Sequence, residues 1–174
     1  IERVGLLGLR LGATIAAQFA EQMSDDPRVA KGPLVLWDPV MHGENYFQEL
    51  LRSNLATQLA VYGKVQENRE VLQERILGGG TVNVDGYEIG RALFESCARP
   101  DLLTSAAPQH GGPVLVVQVA ATEKQANRAE LEALASSYPH GTFARAVEQP
   151  FWREIKAFYG KAESLQQVTL DWLE

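Results

Sequence analysis

Gly8-Leu9-Arg10-Leu11-Gly12 constrains the fold more than any other stretch of the chain. It separates an apolar run, Val4-Gly5-Leu6-Leu7, from a run of small and apolar residues, Ala13-Thr14-Ile15-Ala16-Ala17-Gln18-Phe19. The first run reads as a strand over Arg3–Leu7. The second reads as a helix over Gly12–Gln22, with Ile15, Phe19 and Met23 on one face at spacings of four. Two glycines bracketing a sharp turn are expected where strand and helix backbones approach closely. A strand feeding straight into a helix is a βα unit, and such units build parallel sheets.

The rest of the chain repeats that grammar. Pro33–Trp37 is an unbroken apolar run, as suits a parallel strand covered on both faces. Asp38-Pro39 closes it, and an excursion over residues 44–105 follows. Glu44–Leu77 reads as helix broken near Gly63, with Phe47, Leu51, Leu55 and Leu59 in a stripe extended by Val65, Leu72 and Ile76. Val82–Ile89 alternates around Asp85-Gly86, a hairpin signal, and a helix over Arg91–Arg99 turns Leu93, Phe94 and Cys97 inward. Strands then resume at Pro113–Val119 and Thr142–Val147. Thr122-x-x-Gln125 has the spacing of a capping box for a helix running to Ser136. A last helix over Ala162–Leu173 buries Leu165, Val168, Thr169 and Trp172. The expectation is a single α/β domain over 1–174: about four mostly parallel strands flanked by helices, with a helical and hairpin insertion after the second strand.

Size and charge remove several function classes. A chain of 174 residues is long enough to bury a core. A net charge of −6 argues against unspecific nucleic-acid binding, which needs a basic stripe. No apolar run approaches the length of about 20 residues that spans a bilayer. The single cysteine, Cys97, excludes an intramolecular disulfide and suits a reducing compartment, so a cytoplasmic location is expected. No targeting leader is visible. No His, Cys and Asp spacing matches a metal site, and no cofactor motif is present, because Gly78-Gly79-Gly80 lacks the Lys-Ser/Thr of a phosphate loop and ends a helix instead.

Strand, Gly-x-x-x-Gly, then helix is also the layout of the nucleophile elbow of α/β-hydrolases, and the chain resembles the second half of such a fold. More narrowly it resembles the bacterial exosortase A system-associated hydrolases. The resemblance is carried by the elbow, by Leu36-Trp37-Asp38-Pro39-Val40 leading into Tyr46–Arg52, by Val82–Ile89 and by Gln149-Pro150-Phe151-Trp152. It implies strands five to eight of a hydrolase sheet with a helical lid, and an ester or thioester hydrolase. It also implies that the strands carrying the oxyanion loop are not in this stretch. At the elbow's centre, where a hydrolase has its serine, stands Arg10, a fixed cation and no nucleophile.

The triad partners are equally doubtful. The resemblance places the triad histidine near Glu148-Gln149-Pro150, where no histidine stands. His110 and His140 precede strands, at the opposite sheet edge, and His42 follows the second strand without a serine nearby. Asp38, Glu44, Glu123 and Glu148 are the acidic groups at the active edge, with capping and solubility as their expected duties. Arg10 has two readings: an ion pair with Asp38 at the tip of the neighbouring strand, or a receptor for a carboxylate or phosphate. No second basic residue adjoins Arg10 in sequence, which favours the ion pair. Cys97 reads as a core residue, and Phe151, Trp152, Ile155, Phe158 and Tyr159, at helical spacing, read as core or interface packing ahead of the alternative, the lining of a hydrophobic ligand pocket.

Three functions remain, in this order: a degenerate, non-catalytic hydrolase-like protein that acts by binding or assembly; an ester or thioester hydrolase with a non-standard site; and a small-anion-binding module taking an acidic ligand at Arg10. An apolar first strand without neighbours needs cover, from a second copy in a homodimer or from an N-terminal half.

Overall fold

Leu6 sits opposite Leu34, Leu34 opposite Val114, and Val114 opposite Gly141, so the four apolar runs pair in the order they leave the chain. The computed structural model describes residues 1–103, 108–152 and 162–174. They form β1 (Leu6–Leu9), α1 (Leu11–Gln22), α2 (Pro27–Ala30), β2 (Leu34–Trp37), α3 (Gly43–Tyr62), α4 (Arg69–Leu77), β3 (Val82–Val84), β4 (Tyr87–Ile89), α5 (Arg91–Ala98), β5 (Val114–Ala120), α6 (Ala129–Ser137), β6 (Gly141–Val147) and α7 (Glu163–Leu173). The sheet order is β1-β2-β5-β6, all parallel, an α/β architecture consistent with half of a larger α/β fold. No helix of the described residues is long and apolar enough to cross a membrane.

The chain divides into two compact units, Ile1–Met41 with Leu102–Glu174, and His42–Asp101. In the first, alternation along the strands builds two cores. Leu34, Leu36, Val114 and Val116 face α1 and α6, while Val35, Leu115, Val117 and Val119 face α7. Every residue of β5 is buried, the signature of a strand covered on both faces.

Several expected details shift. β1 lies over Leu6–Leu9 rather than Arg3–Leu7, so the turn falls at Arg10 itself. The face of α1 that packs on the sheet is Ala13, Thr14, Ala17 and Ala20, whereas Ile15 (55%) and Phe19 (43%) are exposed. Small residues let the helix lie close to the strands, and that closeness outweighs the larger side chains. Gly8 meets the expectation of close approach: a Cβ there would fall 2.3 Å from the Gly12 carbonyl oxygen. Gly12 does not, since a Cβ there meets nothing within 4 Å. Thr122 and Gln125 make a turn, with Gln125 Oε1 accepting from Ala121 N–H, and α6 starts at Ala129 instead. Asp26 caps the short α2, which has Pro27 in its first turn and has no forerunner in the sequence reading.

The second unit packs Phe47, Leu51, Leu72, Ile76, Val82, Val84, Ile89 and Phe94 around a hairpin. Gly63, with φ of 70°, ends α3. The buried Gln58 holds the following turn by accepting from Gln66 and Glu67 N–H groups. Asp85 and Gly86 both take positive φ at the hairpin turn, as the Asp-Gly pair predicts. Leu59, Val65 and Leu93, expected inward, are exposed. Cys97 is partly buried, and burial pushes its thiol pKa up. Ile155, Phe158 and Tyr159 lie outside the described residues.

Candidate functional site

Arg10 adopts φ 53° and ψ −121°, a conformation that a non-glycine residue holds only at a cost of order 1–3 kcal/mol. Its neighbours over-determine it. Arg10 N–H donates to Trp37 O at 2.9 Å, and Arg10 O accepts from Ala13 N–H at 3.0 Å and Thr14 N–H at 3.2 Å. Thr14, fully buried, donates its hydroxyl to Val40 O at 2.8 Å and so ties α1 to the chain beyond β2. The result is a sharp strand-to-helix turn with a guanidinium at its centre.

Register then brings the counter-ion. Leu9 pairs with Trp37, so Arg10 and Asp38 are the next rung at the carboxyl edge of adjacent strands. Arg10 Nη1 donates to Asp38 Oδ2 at 2.8 Å and to the Asp38 carbonyl at 3.0 Å. Asp38 is buried and itself has φ of 45°, a left-handed conformation that aspartate tolerates better than most residues. The ion pair between Arg10 and Asp38 is therefore present.

A second cation adjoins them. Arg128 Nη2 donates to Asp38 Oδ1 at 3.0 Å, and Val119 N–H reaches the same oxygen at 3.4 Å. Sequence adjacency had pointed to a lone arginine; the chain supplies the other one from ninety positions away. Gln118 places it. Fully buried in β5, Gln118 accepts from Arg128 N–H at 2.7 Å and donates to Ala126 O at 3.0 Å, clasping the loop ahead of α6. The Trp152 ring lies over the Arg10 guanidinium, 5.3 Å from its carbon to the ring centroid, a cation–π contact. Neither Arg128 nor Trp152 carries a local signal, because each depends on contacts remote in sequence.

The accounting of donors is uneven. Two guanidiniums share the Asp38 carboxylate, and Glu130 is a second carboxylate beside Arg128. Nε of Arg10 and Nε of Arg128 are both buried without a hydrogen-bond partner, although Glu130 Oε1 lies 3.8 Å from the latter. A desolvated donor left unmade costs about 1–3 kcal/mol. No acidic residue stands in the first turn of α1, and no side chain caps it.

The remaining candidates go elsewhere. Leu9 and Leu11 are half-buried flanks of the turn. His42 Nδ1 lies 3.1 Å from Asp101 Oδ2 within the second unit, where Glu44 is exposed in the first turn of α3. Glu123 is exposed beside Arg145. Glu148, where the resemblance expects a histidine, caps α7: its Oε2 accepts from Ser164 N–H at 3.0 Å and Leu165 N–H at 3.4 Å. His110 and His140 sit in the connections that lead into β5 and β6, at the amino edge of the sheet. His110 is buried with Nε2 3.1 Å from Gly32 O, and burial lowers its pKa below the usual imidazole value, against smaller opposing effects of that bond and of Glu21. Among the described residues no group of three or more His, Cys, Asp or Glu side chains could hold a metal ion. No family model, no curated protein and no solved structure matches the chain.

Proposed function

We propose that this chain is a degenerate α/β-hydrolase-like protein that acts by binding and assembly, with no acyl-transfer chemistry at its elbow. The observation that carries the reading is Arg10: a strained backbone of the kind that presents a nucleophile here presents a guanidinium held by Asp38. A protonated guanidinium neither attacks a carbonyl nor accepts a proton. The test is a panel of p-nitrophenyl esters and acyl thioesters offered to the wild type, Arg10→Ala and Arg10→Ser. All three are expected to remain at the uncatalysed rate; wild-type turnover abolished by Arg10→Ala would overturn the proposal.

Hydrolysis through a non-standard site has one observation in its favour. His42, oriented by Asp101, is an imidazole–carboxylate pair of the kind that serves as a general base. Turnover on the same panel that disappears in His42→Gln would establish that reading instead.

Assembly is supported by β1, which ends the sheet order, and by Leu7 (54% exposed) together with Ile15 and Phe19 on α1. An apolar strand edge is a template for pairing, and a second copy about a two-fold axis is its simplest cover, with an N-terminal half as the other candidate. Light scattering on the purified chain is expected to give a dimer that Leu7→Lys disrupts; a monomer at all concentrations would refute it. The lone Cys97 supports a reducing, cytoplasmic setting.

A further inference from the structure

We propose that the Arg10–Asp38–Arg128 cluster is a receptor for a small carboxylate, which docks on the guanidinium edges that Asp38 leaves unused. The inference rests on the binding reading above and names its ligand class. Asp38 engages Nη1 of Arg10 and Nη2 of Arg128, so each guanidinium keeps other donors uncommitted. Of the four buried side-chain atoms without a hydrogen-bond partner among the described residues, two are the Nε atoms of these arginines. Such orphans in one cluster mark a place where another acceptor belongs.

The surroundings favour a planar acceptor. Both oxygens of Asp38 are committed, so the carboxylate has no acceptor left for the remaining guanidinium donors. Glu130, half-exposed and paired with Arg128 at 3.8 Å, is a competitor for that guanidinium. The space beside Gly12 is open, and the uncapped start of α1 adds amide donors to the arginines that carry the site. A planar carboxylate matches the parallel donors of a guanidinium edge. Trp152 over Arg10 gives the bound acid an aromatic neighbour and a fluorescent reporter.

Benzoate and inorganic phosphate, titrated separately against the whole chain by tryptophan fluorescence and calorimetry, test this. Benzoate is expected to bind saturably at one site and more tightly than phosphate. Arg128→Gln should weaken benzoate about tenfold, the worth of one charge-assisted contact, while far-UV circular dichroism stays native. Glu130→Gln should tighten it, and Trp152→Phe should keep the calorimetric signal but lose the fluorescence change. Benzoate affinity indifferent to Arg128→Gln, a preference for phosphate, or no saturable binding would each overturn the carboxylate receptor. Ester turnover by the wild type would instead sink the non-catalytic reading, so the two failures are distinguishable.

Discussion

Replacing Asp38 by asparagine probes the cluster with almost no change of shape. Asparagine tolerates the left-handed conformation at this position, so the backbone is undisturbed. Its amide keeps one acceptor and gains a donor, yet three donors, from Arg10, Arg128 and Val119, converge on the two oxygens of Asp38. At least one N–H must then face the new NH2 group. A hydrogen bond to a charged group contributes about 1.5–3 kcal/mol. Arg10, with 17% of its side chain exposed, counts near the top of that range. Arg128, at 35%, is screened by solvent and contributes below about 1 kcal/mol. The expected loss is about 3 kcal/mol, in keeping with the cost of removing one partner of a buried pair. For a chain of this length that lowers Tm by roughly 6–12 °C. Urea unfolding followed by tryptophan emission is the assay of choice, because all three tryptophans lie in the unit that holds the site. The midpoint should fall while the m-value stays constant. A double-mutant cycle with Arg10→Gln should return a coupling of about 2 kcal/mol. An Asp38→Asn protein within about 0.5 kcal/mol of wild type would refute the energetic role assigned to the cluster.

Gly8→Ala should destabilise by about 3 kcal/mol or more, since its Cβ lands on the Gly12 backbone, while Gly12→Ala should be neutral or stabilising by up to about 1 kcal/mol. Equal midpoints for the two variants in urea would contradict that contrast. Removing the Glu148 carboxylate by Glu148→Ala should cost about 1–2 kcal/mol through the lost cap of α7, measured as a lower thermal midpoint, with Glu148→Gln recovering part of it. Burial lowers the folded pKa of His110 below the unfolded value near 6.5. The folded state then binds fewer protons than the unfolded state in that window. Its contribution is full above about 6.5 and is lost as pH falls through the lower folded value. Stability against pH in the wild type and in His110→Phe should diverge there, and superimposable slopes would refute the assignment.

How much was legible follows from the range of the interactions. β2 and β5 are buried on both faces, so continuous apolar runs mark them without ambiguity. The Arg10–Asp38 pair was legible because parallel register places the ends of neighbouring strands side by side. The inner face of α1 was not, because periodicity weights large side chains whereas close packing on the sheet selected Ala13, Ala17 and Ala20. Exposed Ile15 and Phe19 are the residue of that misreading and the reason a partner surface enters the account. Arg128 was invisible because its position depends on the Gln118 clasp, and that same clasp turns the Thr122 and Gln125 pair into a loop.

Nitrogen-15 NMR of the arginine side chains tests most directly whether a locked guanidinium occupies the elbow. Arg10 held by Asp38 should show its Nη protons resolved, shielded from exchange and slow to rotate, and Asp38→Asn should abolish all three. An Arg10 side chain averaging freely at neutral pH in the wild type would contradict the account at its root.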